Sequence, residues 1–263
     1  MKVSNIPATR LARRINHKGL TLIELLVVLV ILIALAGILI PQLPNMLTRT
    51  HAAAGSTNIT EVNKRIQEFE QVYFKQPAGL DNLVDAGTDA LHTYVSAAGG
   101  ELVALPLPAG AAAPLIAVGI DTLAALETTP GHATFENYAT PVGVVAVADG
   151  VDVASVTPAA VRRLLRPTAL DDDIYVAFGV GQASEIIGRT ANEAGYHFGE
   201  GPGENPETVY ARFVAVYKIA EDDGAGGSDP LERAEFVGVV SIHDDSLANG
   251  SQHVAEFFES NEL

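Results

Sequence analysis

The chain has 263 residues and no cysteine, which excludes disulfide bonds and thiolate metal sites. Its net charge is −16, but residues 1–19 carry five basic and no acidic side chains, so the rest holds 11 basic against 32 acidic residues, a balance of −21. A surface this acidic repels phosphate backbones and argues against nucleic acid as a partner.

The first predicted element is an apolar helix over residues 20–40. These 21 residues are apolar except for Thr21 and Glu24. A helix of that length spans about 31 Å, close to the hydrocarbon thickness of a bilayer, which predicts a membrane span. The basic residues precede it and only Arg49 follows it closely. This asymmetry predicts a cytoplasmic N-terminus and an outward-facing remainder.

Glu24 is the residue that an ordinary membrane anchor does not explain. A carboxylate inside a membrane helix costs roughly 2.5–3.5 kcal/mol on insertion scales. If the chain were cut after Gly19, Leu20 would begin the mature protein with a cationic amine. In a bundle of parallel helices that amine could pair with Glu24 of a neighbour and fix the stagger between the helices. The alternative is an uncleaved single-span anchor with a chance glutamate.

Lys18-Gly19 followed by Leu20 to Val28 resembles the class III signal of type IV prepilins and type II secretion pseudopilins. The resemblance implies a membrane peptidase that cuts after Gly19 and methylates Leu20, although the family usually has Phe at that position. It also implies partners: copies of the chain, other pilins, the prepilin peptidase and an inner-membrane assembly platform. Pro41 falls where many pilins have a helix-kinking proline, and we expect it to matter in assembly.

A second, amphipathic helical stretch follows. Apolar residues recur at steps of three and four on one face, which predicts a helix packed against a head domain. They are Ile59, Val62, Ile66, Phe69 and Tyr73. We expect Gly55-Ser56 to interrupt this helix, Asn58 with Glu61 to cap its renewed start, and residues 76–79 to end it.

The predicted organisation is a leader (1–19), an N-terminal helix (20–76) and a globular head (77–263). The fold class is α+β, with the long helix packed against an antiparallel sheet. We expect helices within Asp81–Ala97, Ile120–Leu126 and Ala159–Leu165. Strands are predicted over Val142–Ala148, Ile174–Val180, Val209–Ile219 and Phe236–Ile242, the last two joined by a long loop over Ala220–Leu231.

No catalytic motif occurs in the sequence, so no enzyme activity and no organic cofactor is predicted. The glycine-rich stretch over residues 221–229 carries Asp222, Asp223 and Asp229, whose oxygens are ligands suited to calcium. Major pseudopilins commonly bind calcium in a C-terminal loop. The alternative is a solvated acidic turn.

The sequence thus favours a structural subunit of a type IV pilus or secretion pseudopilus. Such a subunit lies first in the bacterial inner membrane and then in a periplasmic or extracellular filament. The alternative function is a monomeric, membrane-anchored binding module of the cell envelope whose head recognises a ligand or partner.

Overall fold

The computed structural model describes residues 21–40, 43–127, 141–197, 210–242 and 246–259. The chain divides into two compact units, Met1–Pro44 and Asn45–Leu263.

The first unit contains helix α1, Leu22–Leu39, in which Glu24 is the only charged residue. Its large apolar side chains from Leu22 to Leu35 are all at least 49% exposed. Within the described residues, no helix combines the length and apolarity that crossing a membrane requires. The membrane span over residues 20–40 stays a prediction.

Helix α2 runs from Leu43 to Tyr73, and from Asn45 onward it belongs to the second unit. The predicted apolar face is confirmed for Ile59, Val62, Ile66 and Phe69, which are buried. Tyr73 is 41% exposed and lies outside the core. The helix ends there because the next residue, which has a φ of 56°, leaves the right-handed helical region.

The predicted interruption at Gly55-Ser56 is wrong, because α2 is continuous across both residues. Asn58 and Glu61 therefore lie within the helix and do not begin it. Gly55 has a packing role: a Cβ built there would lie 3.2 Å from Nδ1 of His253, a buried ring of the C-terminal helix. The missing side chain makes room for that ring.

Eleven strands, three further α-helices and a short 3-10 helix, Ala98–Gly100, are described in the second unit. The strands are β1 Leu80–Asp81, β2 Val84–Asp85, β3 Ala90–Leu91, β4 Leu102–Pro106, β5 Thr122–Leu126, β6 Pro141–Ala146, β7 Asp152–Val156, β8 Ile174–Gly179, β9 Val214–Asp222, β10 Ser228–Ile242 and β11 Leu247–Ala248. The helices are α3 Ala112–Ala117, α4 Pro158–Leu164 and α5 Gly250–Glu259.

The main sheet has the order β11-β10-β9-β8-β1-β5-β6, and β7 joins β4 to β8 at a branch. Its pairs are antiparallel except for the parallel pair of β1 and β5. Strands β2 and β3 form a separate two-stranded sheet. The α+β class and the antiparallel sheet are therefore confirmed.

Both faces of the sheet are buried. Val176 and Phe178 of β8 join a core that includes Ile66 and Phe69 of α2, whereas Tyr175 joins a second core that includes α4. Alternate residues of a strand point to opposite faces. The sheet is thus covered by α2 on one side and by α4 on the other.

Several predicted elements differ from the structure. Residues 122–126 form a strand, not a helix, because they pair with β1 and β6. The helices expected within Asp81–Ala97 are absent from that described stretch, which holds short strands and turns. The helix expected over Ala159–Leu165 is confirmed as α4. The loop between β9 and β10 is shorter than predicted, because both strands extend into it and leave only residues 223–227.

Candidate functional site

The start of α1 brings Thr21 and Glu24 together in a capping box. The Glu24 amide donates to Thr21 Oγ1 at 3.3 Å. In return, Glu24 Oε2 accepts hydrogen bonds from the Thr21 amide at 2.8 Å and from the Thr21 hydroxyl at 2.9 Å. The exchange satisfies backbone donors that a helix N-terminus otherwise leaves without partners. It holds the carboxylate over the first turn, where the helix dipole favours negative charge.

The second oxygen of Glu24 is open to a further ligand. Both Thr21 bonds go to Oε2, and no described residue donates to Oε1. The side chain is exposed. Glu24 can therefore accept a cationic donor from outside the chain while its capping bonds remain in place.

The other residues predicted to act in processing and assembly, Gly19, Leu20 and Pro41, lie outside the described residues. Thr21 and Glu24 both lie on the C-terminal side of the predicted cut. The capping box would therefore be retained in a chain that begins at Leu20.

The aspartates predicted to bind calcium lie in and beside the turn between β9 and β10. Asp222 Oδ1 accepts the Gly224 amide at 2.6 Å, and Asp223 Oδ1 accepts the amides of Ala225 and Gly227 at 2.7 and 3.0 Å. The hydrogen bonds from the amides of Ala225 and Gly227 hold the pKa of Asp223 below its usual value. The carboxylates of Asp222 and Asp223 thus shape the turn.

Asp229 lies on β10 opposite Glu221 in the strand ladder. Among the described residues, no three histidine, aspartate or glutamate side chains converge as a metal site would require. The geometry therefore gives the calcium prediction no preassembled ligand set.

The sequence did not predict the buried polar network around Asp81. Asp81 of β1 is fully buried, and its Oδ2 accepts hydrogen bonds from the Tyr210 hydroxyl at 2.8 Å and from Arg212 Nη1 at 3.3 Å. Burial raises the pKa of Asp81 to about 6, against the lowering effect of Arg212 and Tyr210. A Cβ at Gly181 would overlap the carboxylate, so glycine is required there.

This network ties β1 to the segment that leads into β9, across 131 residues of chain. An arginine within the alternating stretch Tyr210 to Tyr217 is the only sequence signal that could have pointed to it. Because its members contact one another in the interior, its role is to hold the sheet together.

A scan of protein families matches residues 14–40 to the prokaryotic N-terminal methylation motif, the signature of type IV pilins and pseudopilins. The matched residues include Gly19, Leu20, Thr21 and Glu24. Comparisons with curated proteins and with solved structures give no match. The resemblance found in the sequence is thus confirmed for the N-terminal segment.

Proposed function

We propose that this chain, which carries the pilin methylation motif at residues 14–40, is a structural subunit of a type IV pilus or a type II secretion pseudopilus. It is cut after Gly19, methylated at Leu20 and polymerised through α1. Before assembly α1 lies in the bacterial inner membrane with its N-terminus in the cytoplasm. Its partners are copies of itself, other pilins, the prepilin peptidase and the assembly platform. The proposed role needs no catalytic activity of the subunit.

The observation that carries the proposal is an apolar helix with one carboxylate in its first turn. The large side chains of α1 are exposed on every face, so the helix needs a bilayer or a bundle of like helices to cover it. A bundle satisfies both features: apolar side chains pack together, and the Leu20 amine of one subunit neutralises Glu24 of the next.

The geometry at the helix start suits this pairing. Oε2 of Glu24 is engaged by Thr21, which leaves Oε1 for an incoming ammonium group. An ion pair shielded from water by neighbouring helices is stronger than an exposed one. It would fix the axial position of each subunit relative to its neighbour.

The first test is the mass of the N-terminal peptide of the protein purified from its native host. The proposal expects a chain that begins at Leu20 and carries one methyl group. A chain that still begins at Met1 has no free amine beside Thr21, and the pairing mechanism is then wrong.

The second test separates the charge of Glu24 from its capping role. Glu24→Gln keeps a side chain that can complete a capping box but removes the charge, whereas Glu24→Ala removes both. We expect both variants to be processed and neither to form filaments in electron micrographs. A matched control is Glu61→Ala, which removes an exposed carboxylate paired with Arg65 on α2. Wild-type filament yield from Glu24→Gln would refute the charge pairing.

A second candidate function is a membrane-anchored binding module that does not polymerise. It is favoured by a cleft of about 620 Å³ between α2 and the segment Thr190–Tyr196, lined by Asn58, Glu61 and Arg65. The two functions differ in the Glu24 experiment. An anchor for a binding module tolerates Glu24→Gln without loss of function.

Calcium binding at Asp222, Asp223 and Asp229 stays a prediction. If it occurs, added calcium should raise the melting temperature of the chelator-treated protein, and Asp229→Asn should reduce the increase. An unchanged melting temperature would leave the three carboxylates as turn-forming and surface residues.

A further inference from the structure

Strand β6 forms one end of the main sheet and is exposed. It pairs with β5 from Leu126↔Pro141 to Thr122↔Ala146, and no described strand lies on its other side. Val142 and Val144 are 61% and 73% exposed. An edge strand presents a row of backbone donors and acceptors, which a further extended strand can satisfy.

The opposite end of the sheet is protected against such pairing. The backbone of β11 is engaged by side chains: the Leu247 amide donates to Glu101 Oε2 at 2.8 Å, and the Leu247 carbonyl accepts from Arg163 at 3.0 Å. The preceding part of β10 contains Pro230, three charged residues over 232–235 and two shifts of register. Proline, charge and bulges are the features by which natural edges resist pairing.

The third free edge, on β4, is also protected. Pro106 ends the strand and has no amide to donate. The short strand β3 lies close to β4. Strand β6 also begins at a proline, Pro141, where its pairing with β5 is irregular, so residues 142–146 are the part of its edge that is free to pair; no described strand lies on that side.

The composition of β6 indicates what can approach it. Residues 137–148 contain no charged side chain in a protein whose net charge is −16. Two copies of this chain repel each other over most of their surface, and the repulsion is least at this uncharged stretch. An uncharged apolar strand is also complementary to another uncharged apolar strand.

We propose that β6 pairs in antiparallel fashion with β6 of a second copy of this chain. A two-fold axis makes such a contact self-complementary. Residues opposite each other in an antiparallel pair either both direct their backbone groups at the partner strand or both direct them away from it, so every symmetric register pairs positions of the same parity. Val142 and Val144 of one copy then lie on the same face as the two valines of the other and cover them.

This contact goes beyond the proposed function, since it involves the head and not α1. A two-fold pair of heads closes on itself and does not extend a polar filament. It would join two subunits, or subunits of two neighbouring filaments. Failure of the Glu24 experiment leaves it standing, and its own failure leaves the proposed function standing.

The absence of cysteine from the sequence allows a direct test by disulfide crosslinking. Two variants of the full chain, Val142→Cys and Val144→Cys, are purified in excess detergent, so that few micelles hold two copies. Each variant is oxidised alone and in an equal mixture with the other. The control is Val103→Cys on β4, which is 41% exposed and also lies on an edge strand. We expect mild oxidation to give covalent dimers through β6. Crosslinking no faster than in the control would overturn the proposal.

Sedimentation of cysteine-free variants supplies a second readout. Val144→Lys places charges close together across the two-fold axis and should weaken the dimer by roughly tenfold or more. Val144→Thr keeps a branched side chain suited to a strand and should leave dimerisation intact, as should Val103→Lys. Wild-type protein that remains monomeric at the highest soluble concentration, or a Val144→Lys variant that dimerises like wild type, would refute pairing through β6.

Discussion

Replacing Asp81 with alanine removes the carboxylate that faces Arg212 in the interior. Arg212 and Asp81 have side chains that are 5% and 0% exposed, and their charged atoms lie 3.3 Å apart. The guanidinium also lies over the Tyr196 ring, 5.5 Å from its centre. In the variant the positive charge stays buried and loses its counter-charge, and the Tyr210 hydroxyl loses its acceptor.

The expected loss of unfolding free energy is large. Removing one partner of a buried ion pair costs about 3–5 kcal/mol, because the remaining charge is left without compensation. Total stabilities of natural domains are about 5–15 kcal/mol. For a domain of this size 1 kcal/mol corresponds to about 2–4 °C, so the melting temperature should fall by roughly 6–20 °C.

The assay is thermal unfolding followed by circular dichroism, with Asp171→Ala as the control. Asp171 pairs with Arg162 at 2.7 Å, a shorter distance than in the buried pair, but its side chain is 85% exposed. Exposed pairs contribute about 0–1 kcal/mol, so the control should lose little. Equal melting temperatures for the two variants would refute the argument that burial, and not distance, sets the contribution of these pairs.

Three further predictions follow from buried groups. The pKa of Asp81 is about 6 in the folded state, against 3.8 in the unfolded chain. Its contribution to stability is therefore full below about pH 4 and is lost as the pH rises to about 6. Thermal melts at several pH values should show that the wild type loses stability over this range relative to Asp81→Asn. Gly55→Ala should not raise the melting temperature, although alanine favours a helix interior by about 1 kcal/mol, because its Cβ would press on the His253 ring; a rise of several degrees would contradict that contact. Burial raises the pKa of Asp173, but hydrogen bonds to its carboxylate, including that from Lys218 at 2.9 Å, lower the pKa by more. The contribution of Asp173 to stability is therefore present above pH 3.8 and lost on acidification. Asp173→Ala should flatten the acid side of the curve of stability against pH.

The N-terminal motif could be identified from the sequence because it is contiguous. The predicted cut site after Gly19, the apolar run and Glu24 all lie within residues 14–40. The buried face of α2 was predictable for a similar reason, since a helix places residues three and four apart on one side. Strands β6, β8, β9 and β10 were also predicted, from apolar or alternating runs in the sequence.

Other features depended on which distant segments meet. Residues 122–126 have helical spacing, yet they form β5 because strands are available on both sides of them. Gly55 suggests a helix break until His253 of α5 is seen against it. In both places the free energy of a tertiary contact outweighs a local preference of about 1 kcal/mol or less.

The sequence by itself determined the apolar helix with its single carboxylate and the existence of an α+β head, because both are written in short-range patterns of apolar and polar residues. Only the tertiary structure decided that Asp81 meets Arg212 and that β6 is left at an open edge. Both features depend on the spatial order of the strands in the sheet. That order is fixed by contacts between segments more than a hundred residues apart, and no local sequence pattern predicts it.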